Sequence, residues 1–148
     1  MISSFEIYAI KARATHAVRH PVLRKGRPKS SCIFEADEKD SSLHLGAFKK
    51  ERLIGVCSAY HRQHLVHDAK KPFQIRGVAV LPTNQGEGIG RALMERMEEK
   101  LREINCDFIW LNARENAVPF YQRLDYHSTG DPFFIDKIGV HYAFYKTL

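Results

Sequence analysis

The feature that most constrains this chain is a junction. The apolar run Ile75 to Leu81 stops at Pro82, the turn Gln85-Gly86-Glu87-Gly88-Ile89-Gly90 follows, and a helical pattern opens at Gly88. In that pattern Ile89, Leu93, Met97, Leu101 and Ile104, with Ala92 filling in, share one face at 3.6-residue spacing, while Arg91, Glu95, Glu98 and Arg102 lie outside it. A strand delivering a turn to an amphipathic helix that must pack on a sheet is the building step of an α/β fold. The turn carries chemistry as well. Glycines at alternate positions remove the Cβ atoms that would keep a ligand off the main chain, so successive amides can converge on an anion at a helix N-terminus. A pyrophosphate cradle is the reading this supports.

Elimination narrows which glycine loop this is. A P-loop ends in Gly-Lys-Ser/Thr, so that a lysine reaches the phosphates and a hydroxyl meets magnesium, whereas here Gly90 is followed by Arg91 and Ala92. The dinucleotide fingerprint needs a third glycine where this chain has Arg91, and a carboxylate about 20 residues on at a second strand end. Neither pattern fits. Gln85, Gly88 and Gly90 instead match Gln/Arg-x-x-Gly-x-Gly/Ala, and the segment resembles the acyl-CoA-binding motif of the GNAT superfamily of N-acetyltransferases. The resemblance extends upstream through Arg76-Gly77-Val78-Ala79-Val80-Leu81-Pro82 and downstream through Asn112 to Tyr126, which is similar to the family's second cofactor block. It implies an α/β fold of GNAT type: a mixed, mostly antiparallel sheet of six or seven strands, with a splayed central parallel pair and helices on both faces. It also implies acetyl-CoA as the cofactor and a small-molecule amine or peptide amine as substrate.

A length of 148 residues fits a single acetyltransferase domain over 1–148, large enough to bury about two thirds of its unfolded surface. Cys32, Cys57 and Cys106 stand far apart without a Cys-x-x-Cys pair, which argues against a disulfide framework or a metal site; they are expected reduced and buried. No run approaches the ~20 apolar residues of a membrane span, so a soluble, cytoplasmic protein without a membrane partner is the expectation. A homodimer is open. The formal charge of +6 is scattered except for Arg19, Arg24, Lys25, Arg27 and Lys29. That cluster reads as a solvated surface, as a site for cofactor phosphates or an acidic substrate, or as a nucleic-acid patch. No recognised motif supports the last, and no nucleic-acid partner is expected.

Alternation over Phe5 to Ala9 suggests an edge strand, and Thr15 to Leu23 a short helix interrupted at His20-Pro21. Gly26 to Ser31 is loop. Leu43 to Phe48 and Leu53 to Tyr60 read as an antiparallel hairpin joined by Lys49-Lys50-Glu51-Arg52, and Phe73 to Leu81 as the central strand after a polar loop. Phe108 to Leu111 suggests a buried parallel strand and Asn116 to Leu124 a helix with Ala117, Phe120, Tyr121 and Leu124 inward. Beyond a break at Thr129 to Pro132, the runs Pro132 to Ile135 and Val140 to Tyr145 close the sheet.

Acetyl transfer from a thioester to an amine needs a held cofactor, a polarised carbonyl, a neutral amine and a proton for the departing thiolate. The loop Gln85, Gly86, Glu87, Gly88, Ile89 and Gly90 would hold the pyrophosphate, with Arg91 at its edge. By the resemblance, backbone groups of Val78, Ala79 and Val80 would hold the pantetheine arm and thioester, and Tyr121 would protonate the thiolate. The family's asparagine, seven residues before that tyrosine, is Arg114 here; Asn116 is the alternative, and both stay open. Asp125 stands where many members have glycine. For the base, His141 on the last strand is the candidate. Asn112 could position a water, and Glu35, Asp37 and Glu38 could recognise a cationic amine. The reading is an acetyl-CoA-dependent N-acetyltransferase working by direct attack in a ternary complex; a non-catalytic acyl-CoA sensor is the alternative.

Overall fold

β-Branched and aromatic runs punctuated by glycine, proline and charged turns give seven strands in the computed structural model, which describes residues 4–64, 68–135 and 138–148. They are β1 (Glu6–Ala9), β2 (Leu43–Lys49), β3 (Arg52–His61), β4 (Pro72–Val80), β5 (Phe108–Arg114), β6 (His127–Ile135) and β7 (Gly139–Thr147). The helices are α1 (His16–Leu23), α2 (Ile89–Glu103) and α3 (Val118–Arg123). The strand order is β1-β2-β3-β4-β5-β7-β6. β1–β2, β2–β3, β5–β7 and β6–β7 pair antiparallel, and β4–β5 is the parallel pair. Among the described residues no helix is long and apolar enough to cross a membrane.

Two compact units divide the chain. The first holds residues 4–60 and 76–101. Its core shows why the apolar positions alternate along β3. Val56 packs with Val18 of α1 and Ala79 of β4, while a Cβ on the adjacent Gly55 would meet Ile89 and Leu93 of α2. Neighbouring residues of a strand point to opposite faces, so α1 and α2 cover the two faces of this unit's sheet. The periodic residues Ile89, Leu93, Met97 and Leu101 are all buried. The helix begins one residue later than Gly88, where the pattern opens.

The second unit holds residues 61–75 and 102–148, with 65–67 and 136–137 outside the described set. The parallel register runs from Pro72↔Phe108 to Gln74↔Trp110. β5 then continues along β7 as far as Arg114↔His141. Amides of Lys70 and Lys71 donate to the Asp107 carboxylate at 2.8 and 2.9 Å, and the Trp110 indole donates to the Arg62 carbonyl at 2.9 Å, pinning the chain that leads into β4.

Several boundaries differ from the sequence pattern. Pro21 lies inside α1 and does not interrupt it: the helix ends only at Leu23, where the Arg24 amide closes on the carbonyls of Arg19 and His20. The break at Thr129 to Pro132 is a register shift within β6, with Gly130 at φ +74°, so one bent strand replaces an end and a new start. The stretch Gly26 to Ser31 closes into a 3-10 turn over Lys29–Cys32. Another 3-10 turn, Glu115–Ala117, takes the place of the first residues of the helix expected from Asn116.

Candidate active site

In the first unit the glycine loop has the shape its sequence requires. Gly86 and Gly88 adopt φ +81° and +82°, conformations that suit glycine, and a Cβ on either would meet no protein atom within 4 Å. Residues 85–88 are exposed. The loop feeds directly into the 15-residue α2, whose first turn begins with the Ala92 amide on the Gly88 carbonyl at 3.1 Å. The first amides of any helix lack intrahelical acceptors, and the helix dipole makes that end positive. Open space, exposed amides and a helix N-terminus fit the diphosphate of a coenzyme. Gln85 turns its side-chain amide back onto the Val80 carbonyl at 3.0 Å, tying the loop to the end of β4. Lys49 holds Glu87 in an ion pair at 2.6 Å, which offsets the one negative charge within the loop. Arg91 reaches Glu95 at 3.7 Å, one turn along.

β4 is buried at Pro72–Ile75, opens at Arg76, Gly77 and Val78, and closes again at Ala79. Gly77 sits at φ +66°, which kinks the strand where it opens. A Cβ there would lie 3.0 Å from Phe34 and 3.4 Å from Arg19 Nε. Behind it stands a polar network that the sequence pattern does not reveal. Arg19, read as part of a basic surface cluster, is fully buried. Its guanidinium donates to Asp37 at 2.7 and 3.2 Å, to the Cys32 carbonyl at 2.8 Å, and to Ser58 and Tyr60 at 3.0 Å each. Its carbon lies 3.9 Å from the centre of the Phe34 ring. The Tyr60 hydroxyl and the Phe34 amide also donate to Asp37.

Asp37 is therefore turned inward and committed to Arg19, which corrects its expected part in meeting a cationic amine. Burial raises its pKa, but the hydrogen bonds from Arg19, Tyr60 and Phe34 outweigh that and leave it below the ordinary carboxylate value. Burial, with the Asp37 bond second, pushes Tyr60 up to about 12. His44 completes the network. Its Nε2 contacts the Asp37 carbonyl at 2.9 Å, so Nε2 carries the proton and, in the neutral ring, Nδ1 accepts from the Ser58 hydroxyl at 2.7 Å. Glu35 and Glu38 are exposed.

In the second unit Tyr121 is buried on α3 among Phe120, Tyr126 and Phe144. The helix ends in a Schellman motif: the Tyr126 amide donates to Tyr121 and the Asp125 amide to Gln122, with Asp125 at φ +67° in the position usually held by glycine. His141 is buried on β7, its Nδ1 on the Gly139 carbonyl at 2.9 Å and its ring against Phe133. A carbonyl only accepts, so in the neutral ring Nε2 is the basic nitrogen. His141 and Phe144 point to opposite faces of β7, and Tyr121 lies on the Phe144 side; the two catalytic candidates are not brought together on one face. Arg114 ends β5 opposite His141, Asn116 lies in the 3-10 turn after it, and the exposed Asn112 faces Ala143 across the ladder. Among the described residues no group of three or more metal-ligating side chains comes together.

The chain belongs to the acetyltransferase (GNAT) family, whose model matches residues 7–126. It is 31% identical over 143 residues to the uncharacterized N-acetyltransferase YitI of Bacillus subtilis (strain 168), covering 97% of this chain and 96% of that one. Among solved structures it resembles Escherichia coli ElaA, with TM-score 0.78 and 18% identity over 97% of this chain and 99% of that one. It also resembles an aminoglycoside 6'-N-acetyltransferase complexed with coenzyme A, with TM-score 0.76 and 14% identity over 96% of each chain. Family membership makes the chain an acetyltransferase, and enzymes of this family use acetyl-CoA.

Proposed function

We propose that residues 1–148 act as one cytoplasmic acetyltransferase domain that moves an acetyl group from acetyl-CoA to a primary amine by direct attack in a ternary complex. The observation that carries this reading is the glycine loop: Gly86 and Gly88 hold left-handed conformations over open space at the start of α2. Acetyl-CoA, when bound, supplies a thioester already activated for attack. The amides from Gly86 to Gly90 and the Arg91 guanidinium hold its diphosphate, and the backbone of Val78, Ala79 and Val80 positions its arm. Asn116 and Arg114 compete to orient the arm at the end of β5.

Tyr121 holds the proton that the departing sulfur takes. His141, with Nδ1 occupied by Gly139, lies across the plane of β7 from Tyr121, so its Nε2 receives the proton an ammonium must lose only through intervening water and not by direct contact beside that tyrosine. Titration calorimetry with acetyl-CoA, followed by thiol release with a panel of amines, tests the reading. Binding heat and amine-dependent thiol are expected. No heat would refute it, and heat without thiol for any amine would make the chain an acyl-CoA sensor.

A further inference from the structure

We infer that the third phosphate of the coenzyme, the monoester on its ribose, is held by Lys50, Arg52 and Asn84 in a cleft beside the glycine loop, so that the chain takes coenzyme A in preference to its dephospho form; this rests on the acetyltransferase reading above. The loop accounts for the diphosphate alone. Coenzyme A carries a further dianion a few bonds away on the ribose, and the hairpin turn that joins β2 to β3 brings cations to that neighbourhood. Lys49, Lys50, Glu51 and Arg52 line an open cleft of about 1000 Å³ together with Ile54 and Asn84. Cleft and loop are contiguous: Lys49 is ion-paired at 2.6 Å with Glu87, inside the loop, and Asn84 immediately precedes Gln85. Main-chain bonds tie the two sides together, the Leu81 amide donating to the Ile54 carbonyl and the Asn84 amide to the Leu81 carbonyl, both at 2.8 Å.

Charge and hydrogen bonding both favour an anion there. Lys49 is matched to Glu87, but among the described residues the side chains of Lys50 and Arg52 have no ion-pair or hydrogen-bond partner. Glu51, which stands between them in the chain, pairs with neither, so two cations face one carboxylate and the cleft keeps a positive excess. A buried donor points the same way. Asn84 is only 8% exposed; its Oδ1 accepts from the Thr83 hydroxyl at 3.1 Å, and its Nδ2 has no partner. Among the described residues Arg19 Nε is the one side-chain nitrogen or oxygen both sealed from solvent and unpaired, so Asn84 Nδ2 opens into the cleft that it lines. An amide donor so deeply set costs free energy until an oxygen arrives to accept from it. Ammonium, guanidinium and amide N–H groups are all donors, the complement of a phosphate dianion, whose oxygens only accept.

Titration calorimetry of the whole chain with coenzyme A and with dephospho-coenzyme A tests the inference. The Kd for coenzyme A is expected to be lower by at least about tenfold, the scale of charge-assisted hydrogen bonds, and the ratio should shrink as ionic strength rises. Lys50→Gln and Arg52→Gln should each raise the coenzyme A Kd by about threefold to tenfold, while the dephospho-coenzyme A Kd and the melting temperature stay near wild type. The two substitutions together should erase the ratio, and Arg52→Lys should keep most of it. Asn84→Ala is judged by the ratio alone, which a loss of stability does not move, and it too should reduce it. Equal Kd values for the two coenzymes, a preference for the dephospho form, a preference that survives the double substitution, or variants that weaken both coenzymes alike would each overturn the inference and leave the acetyltransferase reading intact. Absence of binding by either coenzyme would sink both.

Discussion

Replacing Gly77 with alanine is the sharpest test of how β4 is held open. The residue sits at φ +66°, where a side chain with a Cβ costs about 1–2 kcal/mol. The new methyl would also lie 3.0 Å from Phe34 Cε2 and 3.4 Å from Arg19 Nε, both closer than comfortable contact. Phe34 cannot simply retreat, because its amide is bonded to Asp37 and its ring faces the Arg19 guanidinium. Forcing a methyl into a packed site costs about 1–3 kcal/mol. Together these give a loss of about 2–5 kcal/mol, and a fall in melting temperature on the order of 5–20 °C for a chain of this size. Urea unfolding followed by the fluorescence of the single, largely buried Trp110 measures it. Gly86→Ala is the matched control, since its φ is +81° but its Cβ would meet nothing; it should lose only the backbone part, about 1 kcal/mol, while weakening acetyl-CoA at least about tenfold. A Gly77→Ala protein within about 0.5 kcal/mol of wild type, or no less stable than Gly86→Ala, would show that Phe34 does not press on the strand as described.

Asp37→Asn leaves Arg19 buried without its counter-charge and should cost about 3–5 kcal/mol in urea unfolding. Because the folded pKa of Asp37 is lowered, its stabilisation is complete above the unfolded value of 3.8 and is lost as pH falls through the lower folded value; the variant should lack that part of the acid limb. Tyr121→Phe keeps the ring contacts with Phe120, Tyr126 and Phe144, so thiol release should fall about 100-fold, far more than any loss of stability accounts for; undiminished release would remove Tyr121 from proton transfer. Burial pushes the Cys57 thiol up to about 12, and Cys32 and Cys106 are buried as well. An Ellman titration should therefore find no fast thiol in the native chain and three after denaturation, whereas rapid native labelling would contradict the burial.

The strands and α2 were legible because their signals are local: Ile89, Leu93, Met97 and Leu101 repeat at the helical period and all reach the core. The glycine loop was legible for the same reason, since its conformation depends on a few adjacent residues. Arg19 was not. Its burial depends on Cys32, Asp37, Ser58 and Tyr60, contributed from two stretches of chain distant from α1, so a sequence scan sees only a cationic cluster. Asp37 was misread for the matching reason, as one acidic residue among Glu35 and Glu38 with nothing local to set it apart. A faint signal did exist for Gly77: a glycine inside an apolar strand marks a bulge or a close backbone approach. The separation of Tyr121 and His141 by the plane of β7 follows from strand alternation, once α3 is known to lie over Phe144.

With the His44 ring neutral, the donors of the Arg19 network run in one direction, from guanidinium to Ser58, from Ser58 to His44 and from His44 to the main chain at Asp37. Turning the Ser58 hydroxyl around would strand the groups before and after it, so this circuit has a single polarity. The irregular stretch from Phe34 to Asp37 thereby gains the fixity that a ladder of main-chain bonds gives a strand. A fault at any one link would be felt around the whole ring.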